Sequence, residues 1–195
     1  MINKYWSGKF LGLLQAGFII FRVFFIRLIE YVSLFFWKLN LSKLGKGSMI
    51  QLGVVIRYPG NIFIGHRSNI GRKVIMNSEI KGSTLYIGDN TQINRNCTID
   101  FSGCLEIGNN VTISEGVIIE SHTHGHNPRS KPDKIKKVIE DNVWIGTQSI
   151  ILPQVKTIGK GSIIAAGSIV TKNVKPNTIV GGNPATFIKN VPSDT

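Results

Sequence analysis

Residues 87–119 read IGDNTQINRNCTIDFSGCLEIGNNVTISEGVII and contain two groups of isoleucines that recur at every sixth position. The groups are Ile87, Ile93 and Ile99, then Ile107, Ile113 and Ile119. An amphipathic helix has an apolar period near 3.6 and a half-buried strand a period of two, so neither explains this spacing. The same period returns in Ile139, Ile145 and Ile151, and in Ile158, Ile164 and Val170.

The residue after each aliphatic position is usually small or polar, as at Gly88, Asn94 and Asp100. A short strand that directs one aliphatic side chain inward, turns on a small residue and starts again would give this spacing. Three such strands close a triangular coil, and stacked coils form a parallel β-helix. The sequence therefore predicts a mainly β fold in which strands of successive coils pair about 4.8 Å apart.

Residues 87–91, 107–111, 142–146 and 165–172 resemble the hexapeptide-repeat acyltransferases. The stretch from Trp144 to the Gly-Asn-Pro-Ala of residues 182–185 is similar to the sugar O-acetyltransferase branch, which includes maltose and galactoside acetyltransferases. The resemblance covers about residues 50–189 and implies a left-handed β-helix, acetyl-CoA as co-substrate, and a homotrimer with active sites between subunits. Crossovers between parallel strands are normally right-handed, so the left hand follows from the resemblance alone.

The chain has 195 residues and a net charge of +12, which predicts attraction to anionic partners. Cofactor phosphates and an anionic membrane surface are suitable candidates. Nucleic acid is not expected, because the sequence lacks zinc-finger spacing and RNA-binding aromatic motifs. The two cysteines, Cys97 and Cys104, form neither a disulfide framework nor a metal motif, which suits a cytoplasmic location.

Three segments are predicted: a membrane-associated helical segment at 1–46, the β-helix acyltransferase domain at 47–189, and a C-terminal tail at 190–195. The apolar stretch from Phe10 to Trp37 contains three charged residues, Arg22, Arg27 and Glu30. A charge near the bilayer centre costs roughly 2.5–3.5 kcal/mol. The segment is therefore expected to lie in the interface on the inner face of the cytoplasmic membrane rather than to span it.

Aromatic residues near the ends of this stretch support the interfacial interpretation, since such side chains concentrate at membrane surfaces. They are Tyr5, Trp6, Tyr31 and Trp37. The alternative is a helical pair that packs against the β-helix or between subunits.

Residues 121–137 interrupt the repeat and contain His122, His124 and His126. Five basic residues follow, offset by Asp133 alone: Arg129, Lys131, Lys134, Lys136 and Lys137. Loops on rigid scaffolds often carry function, and acetyl transfer to a hydroxyl needs a general base, for which histidine is suited. Counting along the family motif from Ile107 places that base at His124, with His122 as the alternative and His126 as a third candidate.

The same match places Asn94 where related enzymes contact the acceptor sugar. Asn94 and Asp100 are predicted to stand at the surface, with Asp100 one coil beneath Glu120. Either carboxylate could bind substrate or orient the histidine. Ser102 occupies a position that is often acidic in the family. The family's acetyl-CoA positions match Trp144, Thr147, Ala166, Thr171 and Lys172, and Lys189 could replace the basic residue that is usual where this chain has Thr186.

The predicted function is acetyl-CoA-dependent transfer of an acetyl group to a sugar hydroxyl, with no metal. The acceptor would be a cell-surface polysaccharide or its lipid-linked precursor, as in capsule, O-antigen or exopolysaccharide. Two alternatives remain at this stage: a metal enzyme similar to the γ-class carbonic anhydrases, and a non-catalytic β-helix scaffold.

Overall fold

The computed structural model describes residues 3–192, without the side chains of residues 3–11, 13 and 14, so those of Tyr5 and Trp6 are not described. In this range one α-helix, α1 (Asn3–Asn40), precedes the β-structure. Its C-terminal end packs on the first coil through Trp37. Glu30 adds ion pairs to Arg27 at 3.3 Å and to Arg72 of the β-structure at 3.5 Å.

Three sheets, each running along the length of the coil, form the body of the protein, and all their strands are parallel except β22 (Ala185–Asn190) at the end of sheet B. Sheet A contains β1 (Lys43–Leu44), β4 (Ile62–Ile64), β7 (Leu85–Ile87), β10 (Leu105–Ile107), β15 (Lys137–Ile139) and β18 (Thr157–Ile158). Sheet B contains β2 (Met49–Ile50), β5 (Asn69–Ile70), β8 (Gln92–Ile93), β11 (Thr112–Ile113), β16 (Trp144–Ile145), β19 (Ile163–Ile164), β21 (Thr178–Gly182) and β22 (Ala185–Asn190). Sheet C contains β3 (Val55–Ile56), β6 (Ile75–Asn77), β9 (Thr98–Asp100), β12 (Ile118–Ile119), β17 (Ile150–Ile151) and β20 (Ile169–Val170).

Each coil contributes one strand to each sheet, and the six-residue spacing sets the register between coils. Ile93 pairs with Ile113, and Ile113 pairs with Ile145. These three side chains are at most 1% exposed, and the equivalent positions in sheets A and C are buried in the same way. The recurring aliphatic residues therefore stack into three inward columns that form one continuous core.

Small polar residues at the corners join successive coils by hydrogen bonds. The Ser68 hydroxyl donates to the carbonyl of Gly88, and the Thr91 hydroxyl donates to that of Gly108, both at 2.7 Å. Asn90, which has a φ of 53°, adopts the left-handed conformation that asparagine tolerates better than most side chains. This explains why small and polar residues follow the aliphatic ones in the sequence.

The prediction of a mainly β, stacked parallel coil with an N-terminal helix is confirmed. The coil starts slightly earlier than expected, since β1 begins at Lys43 rather than after residue 46. At the other end β21 and β22 form an antiparallel hairpin that ends at Asn190, and residues 193–195 of the predicted tail lie outside the described range. The short helical turn η1 (Pro59–Asn61) precedes β4.

The interruption at residues 121–137 is also confirmed as an excursion from the coil. It contains two short antiparallel strands, β13 (His122–Thr123) and β14 (Asp133–Lys134), in which His122 lies opposite Lys134. A side-chain carbon at Gly103 would overlap the carbonyl oxygens of Ser121 and Ile135, so glycine at this position lets both ends of the excursion close against the coil. The excursion begins where sheet C turns toward sheet A.

Candidate active site

Most of the predicted site residues lie at two corners of the coil. We call the turns that follow the sheet C strands, such as residues 101–104, the C/A corner. The turns that follow the sheet B strands, such as residues 94–97, form the B/C corner. Sheet C separates the two corners within one chain.

Asp100, at the end of β9, organises the C/A corner. Its Oδ1 accepts hydrogen bonds from the Ser102 backbone N–H at 3.1 Å and the Ser102 hydroxyl at 2.5 Å. Its Oδ2 accepts from the Ser121 N–H at 2.7 Å, from the Ser121 hydroxyl at 2.8 Å, and faces Nδ1 of His122 at 2.8 Å. Burial alone would raise the pKa of Asp100, but the hydrogen bonds from Ser102, His122 and Ser121 together hold it below its usual value.

The prediction that Asp100 stands at the surface is therefore wrong. The residue is 3% exposed, because the excursion folds back over the corner and Ser121 closes above the carboxylate. The carboxylate is directed at His122, which agrees with the alternative role of orienting the histidine. Since it already accepts five hydrogen bonds, little capacity remains for a direct contact with substrate.

His122 and His124 lie side by side, with ring centroids 5.2 Å apart and planes nearly perpendicular. Nδ1 of His122 faces the Asp100 carboxylate and so carries a proton, which leaves Nε2 as the acceptor. Nδ1 of His124 donates to the carbonyl of Ser130 at 2.7 Å, while its Nε2 lies 3.2 Å from Oε2 of Glu79.

Glu79 is a site residue that the sequence did not indicate. It lies between β6 and β7, its N–H donates to the Ser102 hydroxyl at 2.8 Å, and its Oε2 is 3.7 Å from Nε2 of His122. The repeat is interrupted between Ile75 and Leu85, as it is at residues 121–137. The interruption between Ile75 and Leu85 is the sequence signal that could have indicated Glu79. Both Nε2 atoms therefore converge on one carboxylate at the surface of the corner.

Two groups of side chains in the described part of the chain bring three potential metal-ligand atoms within 4.8 Å of one another. Glu79, His122 and His124 form one, and Asp100, Glu120 and His122 the other. The first group offers two ring nitrogens that face one exposed carboxylate, so these are the residues that could hold a divalent cation. In the second group the Asp100 oxygens are occupied by protein hydrogen bonds.

Glu120 lies directly above Asp100, because Ile99 and Ile119 are register partners. Burial, with the neighbouring Asp100 charge, raises its pKa above the ordinary value, while His122 and Lys137 act in the opposite direction. Lys137, expected as part of the basic loop surface, is instead fully buried. The C/A corner therefore contains a compact group of carboxylates, imidazoles and one buried ammonium.

The B/C corner carries a different set of predicted residues. Asn94 and Thr147 line a polar groove with a volume of about 440 Å³. Thr147 accepts a hydrogen bond from the N–H of Gly167 at 2.8 Å, which places Ala166 on the next coil of the same corner. Trp144 is 52% exposed on sheet B, and its indole N–H donates to the Ser114 hydroxyl at 3.1 Å.

The remaining predicted cofactor residues lie elsewhere. Thr171 and Lys172 follow β20 at the C/A corner, and Lys189 lies in β22 opposite Ile179. One chain thus gathers the histidines with Asp100 and Glu120 at one corner, and Asn94, Thr147 and Ala166 at the other. It does not bring the two sets together.

No protein-family model matches the chain. Among curated proteins it is 39% identical over 114 residues to the galactoside O-acetyltransferase of Escherichia coli, a match that covers 56% of each chain. A putative acetyltransferase of Schizosaccharomyces pombe is 38% identical over 117 residues, covering 58% of this chain and 56% of the relative. The chain thus spans about half the length of these two relatives.

WbbJ of Escherichia coli, a putative lipopolysaccharide biosynthesis O-acetyl transferase, is 28% identical over 160 residues, covering 75% of this chain and 81% of the relative. Among solved structures, a hexapeptide-repeat acetyltransferase of Vibrio cholerae has a TM-score of 0.59 and 27% identity, covering 84% of this chain and 82% of that one. AntD of Bacillus cereus, an N-acyltransferase in complex with dTDP and 3-hydroxybutyryl-CoA, has a TM-score of 0.70 and 24% identity, covering 80% and 86%.

The fold defines the class of the protein, which is a β-solenoid built from hexapeptide repeats. The chain is, more particularly, a homologue of the galactoside O-acetyltransferases and of WbbJ, and a solved hexapeptide-repeat acetyltransferase shares its fold. The resemblance read from the sequence is confirmed.

Proposed function

We propose that this protein is an acetyl-CoA-dependent O-acetyltransferase that acts on a sugar hydroxyl. The observation that carries the proposal is the His122–Asp100 pair, in which Asp100 engages Nδ1 and leaves Nε2 directed toward Glu79 at the surface of the C/A corner. The names of the relatives support the reaction class, and the 3-hydroxybutyryl-CoA and acetyl-CoA held by two structural neighbours support the donor.

The geometry favours His122 over His124 as the general base. Asp100 fixes the tautomer of His122 and stabilises the imidazolium that forms, as in other histidine–carboxylate pairs. Nε2 takes the proton of the acceptor hydroxyl while the oxygen attacks the thioester carbonyl. Collapse of the tetrahedral intermediate expels the CoA thiolate, which recovers the proton from His122.

The outward face of sheet C supports a homotrimer. Its ladder is almost entirely β-branched and apolar, and it consists of Val55, Ile75, Thr98, Ile118, Ile150 and Ile169. An extended apolar face of this kind marks a protein interface. Contact between sheet C faces of neighbouring copies would bring the C/A corner of one subunit toward the B/C corner of the next, completing a site that one chain leaves divided.

Ile118→Lys should convert the trimer to monomers, because an ammonium would be buried at the centre of the apolar ladder. Light scattering after size-exclusion chromatography measures the mass, and Thr157→Lys on the outer face of sheet A is the matched control. If Ile118→Lys keeps the mass of the wild type, sheet C is not the interface.

In the assembled site we assign the donor to the B/C corner and the adjoining coils. Thr147, Ala166 and the exposed face of Trp144 would accommodate the pantetheine arm of acetyl-CoA. Lys189, together with Thr171 and Lys172 from the C/A corner of the neighbouring subunit, would meet its phosphates, since charge-assisted contacts are the stronger kind. Asn94 would contact the acceptor, and Glu120 would act beside His122.

The acceptor is proposed to be a sugar of a cell-surface polysaccharide or of its lipid-linked precursor. WbbJ is named for lipopolysaccharide biosynthesis, and AntD is seen with dTDP and, in a variant, with dTDP-4-amino-4,6-dideoxyglucose. A polymer precursor at a membrane also agrees with the apolar helix α1.

No described helix is both long enough and apolar enough to cross a bilayer. Large apolar side chains of α1 are nevertheless 42–72% exposed, among them Phe18, Phe21, Phe25, Leu28 and Phe35. We propose that α1 lies in the interface of an anionic membrane, which would cover these side chains and attract the +12 chain.

The double variant Phe21→Glu, Phe25→Glu should lose most binding to vesicles that contain phosphatidylglycerol, because two carboxylates replace a stacked aromatic pair on α1. Flotation with these vesicles measures the bound fraction, and Glu106→Gln on sheet A serves as the control. Equal flotation of the double variant and the wild type would show that α1 is not the contact.

The activity is tested with labelled acetyl-CoA and a panel of sugar nucleotides, lipid-linked oligosaccharides and purified polysaccharides. Saturable acetyl-CoA binding with label transferred to a glycan is the expected result. Absence of binding would favour the scaffold alternative. Stoichiometric zinc on Glu79, His122 and His124, with hydration of carbon dioxide, would favour the metal-enzyme alternative.

A further inference from the structure

The two histidines of the C/A corner share one hydrogen-bonding arrangement. Nδ1 of His122 lies 2.8 Å from the Asp100 carboxylate, and Nδ1 of His124 lies 2.7 Å from the carbonyl oxygen of Ser130. A carboxylate and a carbonyl oxygen both accept hydrogen bonds, so each ring donates through Nδ1. In the neutral form of each ring the lone pair is therefore on Nε2.

Both Nε2 atoms lie close to the same carboxylate oxygen. Oε2 of Glu79 is 3.2 Å from Nε2 of His124 and 3.7 Å from Nε2 of His122. Within residues 3–192 neither Nε2 atom is placed to make a hydrogen bond. Three atoms with lone pairs therefore face one another across a short gap, an arrangement that a cation between them would stabilise.

The separations of these three atoms suit a zinc ion. Zinc binds histidine nitrogen at about 2.0–2.1 Å and carboxylate oxygen at about 2.0–2.2 Å, so the ligand atoms of a tetrahedral site lie about 3.4 Å apart. The two distances from Oε2 of Glu79 fall on either side of that value, and all three atoms lie within 4.8 Å of one another. Two histidines and a glutamate are also a ligand set that zinc uses in proteins.

The groups behind the histidines are those that support metal ligands. A histidine bound to a metal almost always donates its other ring N–H to a carboxylate or a backbone carbonyl, which fixes the orientation of the ring. Asp100 is the first kind of acceptor and Ser130 the second. Asp100 is held in turn by the hydroxyls of Ser102 and Ser121. The supporting contacts of a zinc site are thus present in the folded chain.

We propose that Glu79, His122 and His124 form a zinc-binding site, and that zinc bound there inhibits acetyl transfer. The ion would occupy the Nε2 lone pair of His122, which is the atom assigned to accept the proton of the acceptor hydroxyl. The inhibition rests on the proposed function, whereas the site rests on the geometry of a single chain. Zinc in this position is a reversible inhibitor of the general base, unlike the catalytic ion of the metal-enzyme alternative.

The first experiment measures zinc binding without substrate, by isothermal titration of metal-free protein with zinc chloride. One ion per chain is expected in the wild type. Glu79→Gln and His124→Ala should each weaken binding at least about tenfold, since loss of an outer partner of a ligand already costs about 10–100-fold. His126→Ala removes an exposed histidine of the same excursion and should keep the wild-type affinity.

Either ligand variant decides the result by itself. The two side chains come from different interruptions of the coil and are partly exposed, 48% for Glu79 and 27% for His124, so neither substitution disturbs the core. A wild type that binds no zinc overturns the proposal. Binding that is equally tight in the wild type, Glu79→Gln and His124→Ala also overturns it, because the ion would then lie elsewhere.

The second experiment measures acetyl transfer, and the rate of each protein with zinc is divided by its own rate in EDTA. Saturating zinc should lower the wild-type rate about 10²–10⁴-fold, which is the contribution of a general base, and EDTA should restore it. At the same zinc concentration Glu79→Gln should be inhibited at least about tenfold less. Undiminished transfer with one zinc bound, or activation by zinc, overturns the inhibitory role.

The two experiments separate this inference from the proposed function. Transfer by a metal-free wild type that binds no zinc rejects the zinc site and leaves the transferase standing. One zinc bound through Glu79 and His124 to a protein that shows no transfer in EDTA rejects the proposed reaction, and with it the inhibition, while the metal site stands.

Discussion

His122→Ala is expected to lower kcat by about 10²–10⁴-fold, the usual contribution of a general base. Without the imidazole, the acceptor hydroxyl must lose its proton to water during attack on the thioester. Acetyl-CoA affinity should stay within about twofold, because the proposed donor contacts are made by Trp144, Thr147 and Ala166 and not by His122. Steady-state kinetics give kcat, and isothermal titration gives the affinity.

His124→Ala distinguishes the two candidate bases. The His124 ring is held between the Ser130 carbonyl and Glu79, so its loss should reduce kcat less than the loss of His122. His126→Ala, on the same excursion but exposed, is the control for general disturbance of the loop. If His124→Ala removes activity and His122→Ala does not, the base is His124, in accordance with the count along the family motif.

The six-residue repeat predicted the coil well, because this spacing is visible over short stretches of sequence and fixes both which side chains point inward and which residues pair between coils. Each isoleucine of the six-residue period is inward, and its partner one coil away follows from the spacing, as for Ile93 and Ile113. The excursion at residues 121–137 was equally visible as a break in the period. The sequence therefore predicted the architecture of the coil, and it also located the element that bears the histidines.

The arrangement within the candidate site could not be read in the same way. Asp100 follows an inward isoleucine and was expected to point outward, but Ser102 and Ser121 enclose it from two different coils. Glu79 approaches the histidines from an interruption two turns of the coil below the excursion, a contact that no local spacing encodes. Lys137 appears in the sequence as one of five basic loop residues, yet its position in the register makes it part of the core.

Asp100→Asn should lower kcat by about 10²–10⁴-fold while leaving the fold intact. If the asparagine oxygen keeps accepting from Ser102, its amide N–H₂ must face Nδ1 of His122. Nδ1 would then accept a hydrogen bond, and the ring proton would move to Nε2. The imidazole would then present a donor where the reaction needs an acceptor. Glu106→Gln makes the same carboxyl-to-amide change at an exposed position and should leave kcat unchanged.

The pH dependence of thermal stability is a second test of the role of Asp100 in the Asp100→Asn variant. The folded-state pKa of Asp100 lies below the ordinary 3.8, so its ionised form stabilises the protein above pH 3.8, and this contribution is lost as the pH falls through the folded-state pKa. The variant should therefore have a lower thermal midpoint than the wild type at pH 7, with the difference narrowing below pH 3.8. Thermal unfolding of both proteins across this pH range measures the effect. If the difference between their thermal midpoints does not depend on pH and kcat is retained, the carboxylate neither carries a stabilising charge nor orients His122.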